Sequence, residues 1–305
     1  MNMINLSEIK KMVTYAFAKI RGWLRISRER CDSQLLSFAD SIGYRKWRRN
    51  PLGYLRASKS HYDDRFHQAN NTQNPIIDEL ENNLGYKIPV DFLEEVAYQV
   101  QISFKKSFPD FSHGRVLYSA LSDYLKKHTG DRQNKGGGYT IYETGTAKGF
   151  SSLCMAKALS DFNAGGKILT FDIIPHEVDM FWNCVNDHLR GPVSRKTLLD
   201  KWKELIDCYI FFIEGDSRLM LNKVHVGRVN FAFLDGGHTY KDVCFEFENI
   251  CPKQHAGDVV IFDDYNKIEF PEIVQAVNEM TQKHGYSKEI IPLNGNRRLA
   301  ICRKS

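Results

Sequence analysis

From residue 139 to the end of the chain, short apolar runs alternate with helical segments, and no other feature narrows the fold as much. "YTIYE" is followed by the helical "SSLCMAKALS", and "GKILTFD" by a long, mostly helical stretch over 176–207. "YIFFIEGD" leads into the short "SRLMLNKV", "VNFAFLD" into a helix from Thr239 to Ile250, and "GDVVIFDD" into "PEIVQAVNEMTQKHG". Strands that are apolar throughout, separated by helices, predict a parallel sheet covered on both faces. The last two runs, "YSKEIIPL" and "RRLAICRK", flank "NGN" and predict a closing hairpin, so the final strand should enter antiparallel. The expected class is α/β: a doubly wound, mainly parallel sheet of seven strands with an antiparallel last strand and a helical N-terminal extension.

Upstream, 89–108 and 114–128 have helical periodicity, whereas the polar "HYDDRFHQANNTQNP" (61–75) reads as a loop and 129–140 as a turn-rich connector. The division this suggests is a helical, basic accessory region over 1–110 and a catalytic domain over 111–305. The first sixty residues hold thirteen Lys or Arg against four acids, so the remainder of the chain is slightly acidic. That charge pattern excludes a nucleic-acid partner argued from global charge, but leaves the N-terminal segment suited to anionic surfaces. Within it, Ile9, Val13, Phe17, Ile20 and Leu24 recur at helical spacing opposite lysines and arginines, with Trp23 among them. Residues 7–30 therefore predict either a helix packed on protein or in a homo-oligomer contact, or a peripheral membrane helix. Seven scattered cysteines without a C-x-x-C pair predict reduced thiols and a cytoplasmic location, at the inner membrane face if the helix docks there.

Ligands of such sheets sit outside the carboxyl ends of the strands. The first strand runs into "ETGTAKGFSS", where Gly145 permits a tight turn and Gly149 a close helix start, with Glu143 beside them. The second strand ends in Asp172, where an acid commonly takes ribose hydroxyls, and the third in "EGDS", placing Asp216 for an adenine edge. The spacing E-x-G-x-x-x-G is not the G-x-G-x-x-G of a diphosphate site, and an acid beside the loop suits a ligand bearing an amino group.

With these motifs, residues 139–305 resemble a class I S-adenosylmethionine-dependent methyltransferase, of Rossmann-like fold. "FLDGGHTYKDV" (233–243) and "VVIFDDY" (259–265) resemble the branch holding macrocin-type and aminocoumarin sugar O-methyltransferases. The resemblance implies S-adenosylmethionine as cofactor, with Glu143, Gly145, Thr146, Gly149 and Ser151 around its methionine part. It also implies Asp172 at the ribose and Asp216 and Ser217 by the adenine, with a sugar or glycan hydroxyl as acceptor.

Asp235 ends the fourth strand, and Asp263 and Asp264 end the fifth. Three carboxylates on neighbouring strand ends are expected to share a metal, Mg²⁺ first, because like charges do not crowd together without a cation. An aliphatic hydroxyl is hard to deprotonate and a metal eases it, with His238 or Asp235 taking the proton. Gly236 and Gly237 are expected to bend the chain toward the pocket, and Tyr240, Tyr265 and Asn266 to line it. Two other readings remain at this level: a phenol methyltransferase or hydroxylase on the same scaffold, and a non-catalytic binding protein.

Overall fold

The computed structural model describes residues 57–105, 107–129 and 138–305. The expectations for residues 7–30, and for most of the connector, lie outside them. Among the described residues no helix is long and apolar enough to cross a membrane, and the six cysteines are free thiols.

The seven strands are β1 (Tyr139–Thr144), β2 (Gly166–Asp172), β3 (Ile210–Glu214), β4 (Phe231–Leu234), β5 (Val259–Phe262), β6 (Tyr286–Pro292) and β7 (Arg298–Lys304). They lie in the order β3-β2-β1-β4-β5-β7-β6. β1 to β5 pair in parallel, and β7 is antiparallel to both β5 and β6. This is the Rossmann-like sheet that the apolar runs predict. The order reverses at β1 and β4, and the ligand crevice of a doubly wound sheet opens beyond the strand ends at such a switch point.

Side chains alternate across the sheet. Ile141, Phe231, Phe233 and Ile261 face one core, while Tyr142, Ala232, Leu234, Val260 and Phe262 face the other. The first core is closed by α4 (Ser112–Lys127) and α5 (Phe150–Asp161), the second by α10 (Tyr240–Ile250) and α11 (Pro271–Lys283). Val243, Phe247 and Ile250 form the buried stripe of α10, and the Thr239 side chain caps that helix by accepting from the Asp242 N–H.

Three sequence expectations are corrected. The polar segment 61–75 is largely helix, α1 (Lys59–Asn70), capped by Ser58 and anchored by buried Tyr62 and Ala69; capping and a narrow apolar stripe outweigh its low overall hydrophobicity. α2 (Pro75–Leu84) follows, and the helix expected to reach residue 108 is α3 (Val90–Val96), closing in a π-turn at Ala97–Gln101. The stretch 176–207 is only partly helical: α6 (Asn186–Arg190), α7 (Arg195–Leu198) and the start of α8 (Lys203–Tyr209) are short and joined by irregular chain. One compact unit spans Leu52–Ser305. Tyr62, Ile77, Val96 and Val100 enter the same core as Ile141 and Phe233, so 57–110 is part of the body that holds the sheet.

Candidate active site

Beyond β1 the chain turns through Gly145 at φ +85°, and a Cβ there would lie 2.1 Å from the Asp235 carbonyl oxygen. Only glycine fits both conditions. The Asp235 N–H in turn donates to the Thr144 carbonyl at 3.0 Å. The glycine loop and the acidic turn after β4 are therefore in backbone contact, so whatever binds one lies against the other.

The loop is held from three sides. Glu143 is fully buried and accepts from the hydroxyls of Ser151 and Ser152, and its burial raises its pKa. Thr146 spends its hydroxyl on Thr170, 2.5 Å away and buried, so it supports the loop from beneath. Asp172 accepts from the N–H groups of Ala147 at 2.5 Å and Ile174 at 2.7 Å. Its side chain is 8% exposed, and the buried Arg195 stands 3.5 Å from it. Burial raises the Asp172 pKa and Arg195 opposes that rise. Each Asp172 oxygen still has a lone pair for a ligand hydroxyl, so the residue fits a ribose as well as the loop. Gly149 begins α5 at φ +90°. Asp216 caps the short α9 (Ser217–Met220) and is paired with Arg218 at 2.6 Å; burial works against its charge, but Arg218 holds its carboxyl below the usual range.

Ser217 reveals a residue the sequence reading missed. Its hydroxyl donates to Glu246 Oε1 at 2.7 Å, and Thr144 donates to Oε2 at 2.8 Å. Glu246 lies on α10, buried beneath the turn after β4, and burial pushes its pKa up to about 7. A Cβ on Gly236 would come within 2.8 Å of that carboxyl, and one on Gly237 within 2.3 Å of the Asp242 side chain. Neither glycine has a positive φ. The chain bends at Gly236, as expected, and both glycines also allow close packing. An acid next to the apolar stripe of a helix was the signal available in the sequence.

The raised pKa gives Glu246 a stability signature. The unfolded chain releases this proton near the ordinary 4.5, the folded chain only near 7. Between those values the unfolded state binds fewer protons, so stability falls as pH rises and the contribution is whole only below pH 4.5. Glu246→Gln should remove that slope. Denaturant titrations of both proteins at low and neutral pH should differ by up to about 3 kcal/mol, and equal pH dependence would contradict the assignment.

The acids do not converge as a trio of aspartates. Asp235, His238 and Asp264 each bring a ligand atom within 4.8 Å of the others. His238 Nε2 is 3.4 Å from Asp264 Oδ2 and 4.0 Å from Asp235 Oδ1. Asp263 points elsewhere: it is 2% exposed, and Arg297 donates to its Oδ2 at 2.5 Å. Both residues lie just beyond the end of β5, where the Asp264 N–H donates to Asp263 Oδ1 at 2.7 Å. Asp264 also has φ +53°, a left-handed conformation that aspartate tolerates better than most residues, and this sets it apart from its neighbour. Asp263, expected in the metal set, is engaged by Arg297 and is not among the three residues whose ligand atoms gather. Tyr240 and Tyr265 are also turned away, to Glu279 at 2.5 Å and Asn278 at 2.8 Å on α11. Asn266 ties its own loop, donating to the Asn296 carbonyl.

Electrostatics single out the cluster. Burial and then the Asp263 charge push Asp235 up to about 7. Burial and Asp263 likewise raise Asp264, while Asp235 raises His238. Burial opposes the charge on Asp263, but Arg297 and then His113 hold its carboxyl low. Two carboxylates reluctant to ionise together offer two hard oxygens that fit a divalent cation, with the His238 imidazole beside them. His113 was also missed. It is buried on Phe150 and Phe233, and burial lowers its pKa to about 4, so it stays neutral at physiological pH.

Residues 142–265, which span the glycine loop and both acidic turns, match a family model described as a methyltransferase domain. No curated protein matches the chain. Among the solved structures similar to it are three methyltransferases. The O-methyltransferase NovP is 17% identical over 65% of this chain and 82% of its own, with a TM-score of 0.48. The Podospora anserina methyltransferase PaMTH1, bound to S-adenosylhomocysteine, is 11% identical over 77% of this chain and 97% of its own, with a TM-score of 0.49. The O-methyltransferase TomG from Streptomyces achromogenes, in complex with S-adenosylmethionine, is 13% identical over 76% and 97%, with a TM-score of 0.48. The chain is similar to that domain over the matched segment, which is where the glycine loop and the acid cluster sit.

Proposed function

We propose that the protein transfers a methyl group from S-adenosylmethionine to a hydroxyl oxygen, with a divalent cation held by Asp235 and Asp264. The observation that supports this best is the backbone contact between Gly145 and Asp235, which sets the cofactor loop directly against the acid cluster. The cofactor supplies an already activated methyl group, and a cation would supply a lower pKa for the acceptor hydroxyl.

The chain's own residues do the rest. The 145–149 loop, fixed by Glu143, Thr146 and Asp172, presents a rigid cradle. Asp235 and Asp264 orient the acceptor side, and alignment of the reacting atoms accounts for much of the rate in a displacement of this kind. His238, 49% exposed and next to both acids, takes the acceptor proton at Nε2. The sugar-hydroxyl class of the acceptor follows from the resemblance of 233–243 and 259–265 to sugar O-methyltransferases.

The test is release of S-adenosylhomocysteine in the presence of a panel of glycan and phenolic acceptors, with Mg²⁺ or with a chelator. Turnover that needs both the cofactor and the cation supports the proposal. Turnover with a chelator present, or oxidation of an acceptor without the cofactor, contradicts it. Under the same conditions His238→Gln should lower kcat about a hundredfold or more without changing cation affinity. A loss of cation binding in that variant would make His238 a ligand instead of the base.

A further inference from the structure

Lys148 lies inside the glycine loop and has no place in the chemistry above. It is 8% exposed, and its Nζ donates to the Ser103 hydroxyl. Among the described residues no carboxylate forms an ion pair with it. The one acid whose charge acts on it is Asp187. That carboxylate is committed to backbone, accepting from the N–H groups of Trp182 at 2.8 Å and of Asn183 at 2.7 Å.

A second lysine stands close by. Lys105 is exposed, and its charge acts on Lys148, on His113 and on Asp264. It follows two residues after Ser103, whose hydroxyl receives Lys148 in the glycine loop. The segment that carries it is anchored, because Asn183 both accepts from the Phe104 N–H at 3.0 Å and donates to the Phe104 carbonyl at 3.1 Å. Ser103 on this segment is buried.

Burying an ammonium next to a second cation, with only a neutral hydroxyl to receive it, is unfavourable unless an anion completes the site. Burial, reinforced by Lys105, lowers the Lys148 pKa to about 8. Arg297, the other cation near the acids, is already neutralised by Asp263 and Asp110.

We infer that Ser103, Lys105 and Lys148 form an oxyanion subsite, and that the acceptor carries a carboxylate or phosphate group which docks there while its hydroxyl reaches Asp235 and Asp264. This rests on the methyl-transfer reading and narrows its substrate class to anionic acceptors.

The test uses the full chain and inorganic phosphate as probe, with S-adenosylhomocysteine saturating, in wild type, Lys148→Met, Lys148→Arg and Lys105→Met. Phosphate should bind the wild type and bind Lys148→Met at least about tenfold more weakly, as expected for loss of a charge-assisted hydrogen bond. Lys148→Arg should retain part of the affinity. Lys105→Met, altered at an exposed position, should weaken phosphate by a smaller factor and carries the test if Lys148→Met does not fold. Phosphate affinity equal in wild type and Lys105→Met, or no binding to wild type, overturns the inference. So does a tenfold loss of S-adenosylhomocysteine affinity in Lys148→Met with 5′-methylthioadenosine unaffected, since the lysine would then serve the cofactor's own carboxylate. Failure of wild type to bind S-adenosylhomocysteine at all would instead count against the methyl-transfer reading itself.

Discussion

Asp235→Asn is expected to lower kcat about a thousandfold or more, with S-adenosylhomocysteine affinity unchanged within about twofold. The asymmetry follows from the position of Asp235. Its backbone supports the cofactor loop, through the Asp235 N–H to Thr144 and the close approach of Gly145, and asparagine preserves that backbone. Its side chain belongs to the other half of the site, where it faces His238 and Asp264. The substitution removes one of two anionic ligands and the group that raises the His238 pKa, while keeping volume and shape. Equal losses of turnover and of cofactor affinity would place Asp235 in the cofactor site. Activity within tenfold of wild type would remove it from the chemistry.

Asp263→Ala should act mainly on stability. Asp263 and Arg297 form an ion pair with the carboxylate side 2% exposed, and Arg297 also lies 3.6 Å from Asp110. Deleting one partner of a buried pair leaves the other charge uncompensated and typically costs about 3–5 kcal/mol. Asp110 still offers Arg297 partial compensation, so about 3 kcal/mol is the expected loss. Arg297→Met should be comparably damaging, and the double variant should recover part of the loss, since neither charge is then left alone. Denaturant unfolding of the four proteins measures this coupling. If Asp263→Ala unfolds like wild type but loses bound cation, Asp263 is a ligand after all.

These two aspartates show how far the sequence was legible. The paired strand-end motifs could be located because apolar runs that stop at acids have a distinct pattern, and the sheet order follows from the same alternation. Which acid faces the site was not legible. It depends on the left-handed backbone at Asp264, just beyond the end of β5. Arg297, the partner that claims Asp263, sits thirty-four positions away in the hairpin before β7. Lys148 lay in plain view within "ETGTAKGFSS", but its partner Ser103 sits in an irregular segment after the π-turn that the pattern of 89–108 presents as helix. Glu246 was hidden in the same way, by hydroxyls from β1 and α9 that converge only when the sheet forms. In contrast, the α1 helix was misjudged for a local reason. Its Ser58 cap and its few buried positions were readable, but the polar bulk of 61–75 hid them.

The most direct test is a titration of Mn²⁺, in place of Mg²⁺, into the S-adenosylhomocysteine-loaded full chain and its Asp264→Ala variant, with free ion counted by electron paramagnetic resonance. One tightly bound ion per wild-type chain, lost in the variant while S-adenosylhomocysteine binding persists, is the predicted result. An ion retained in Asp264→Ala, or no bound ion in wild type, would contradict a cation held between the turns after β4 and β5.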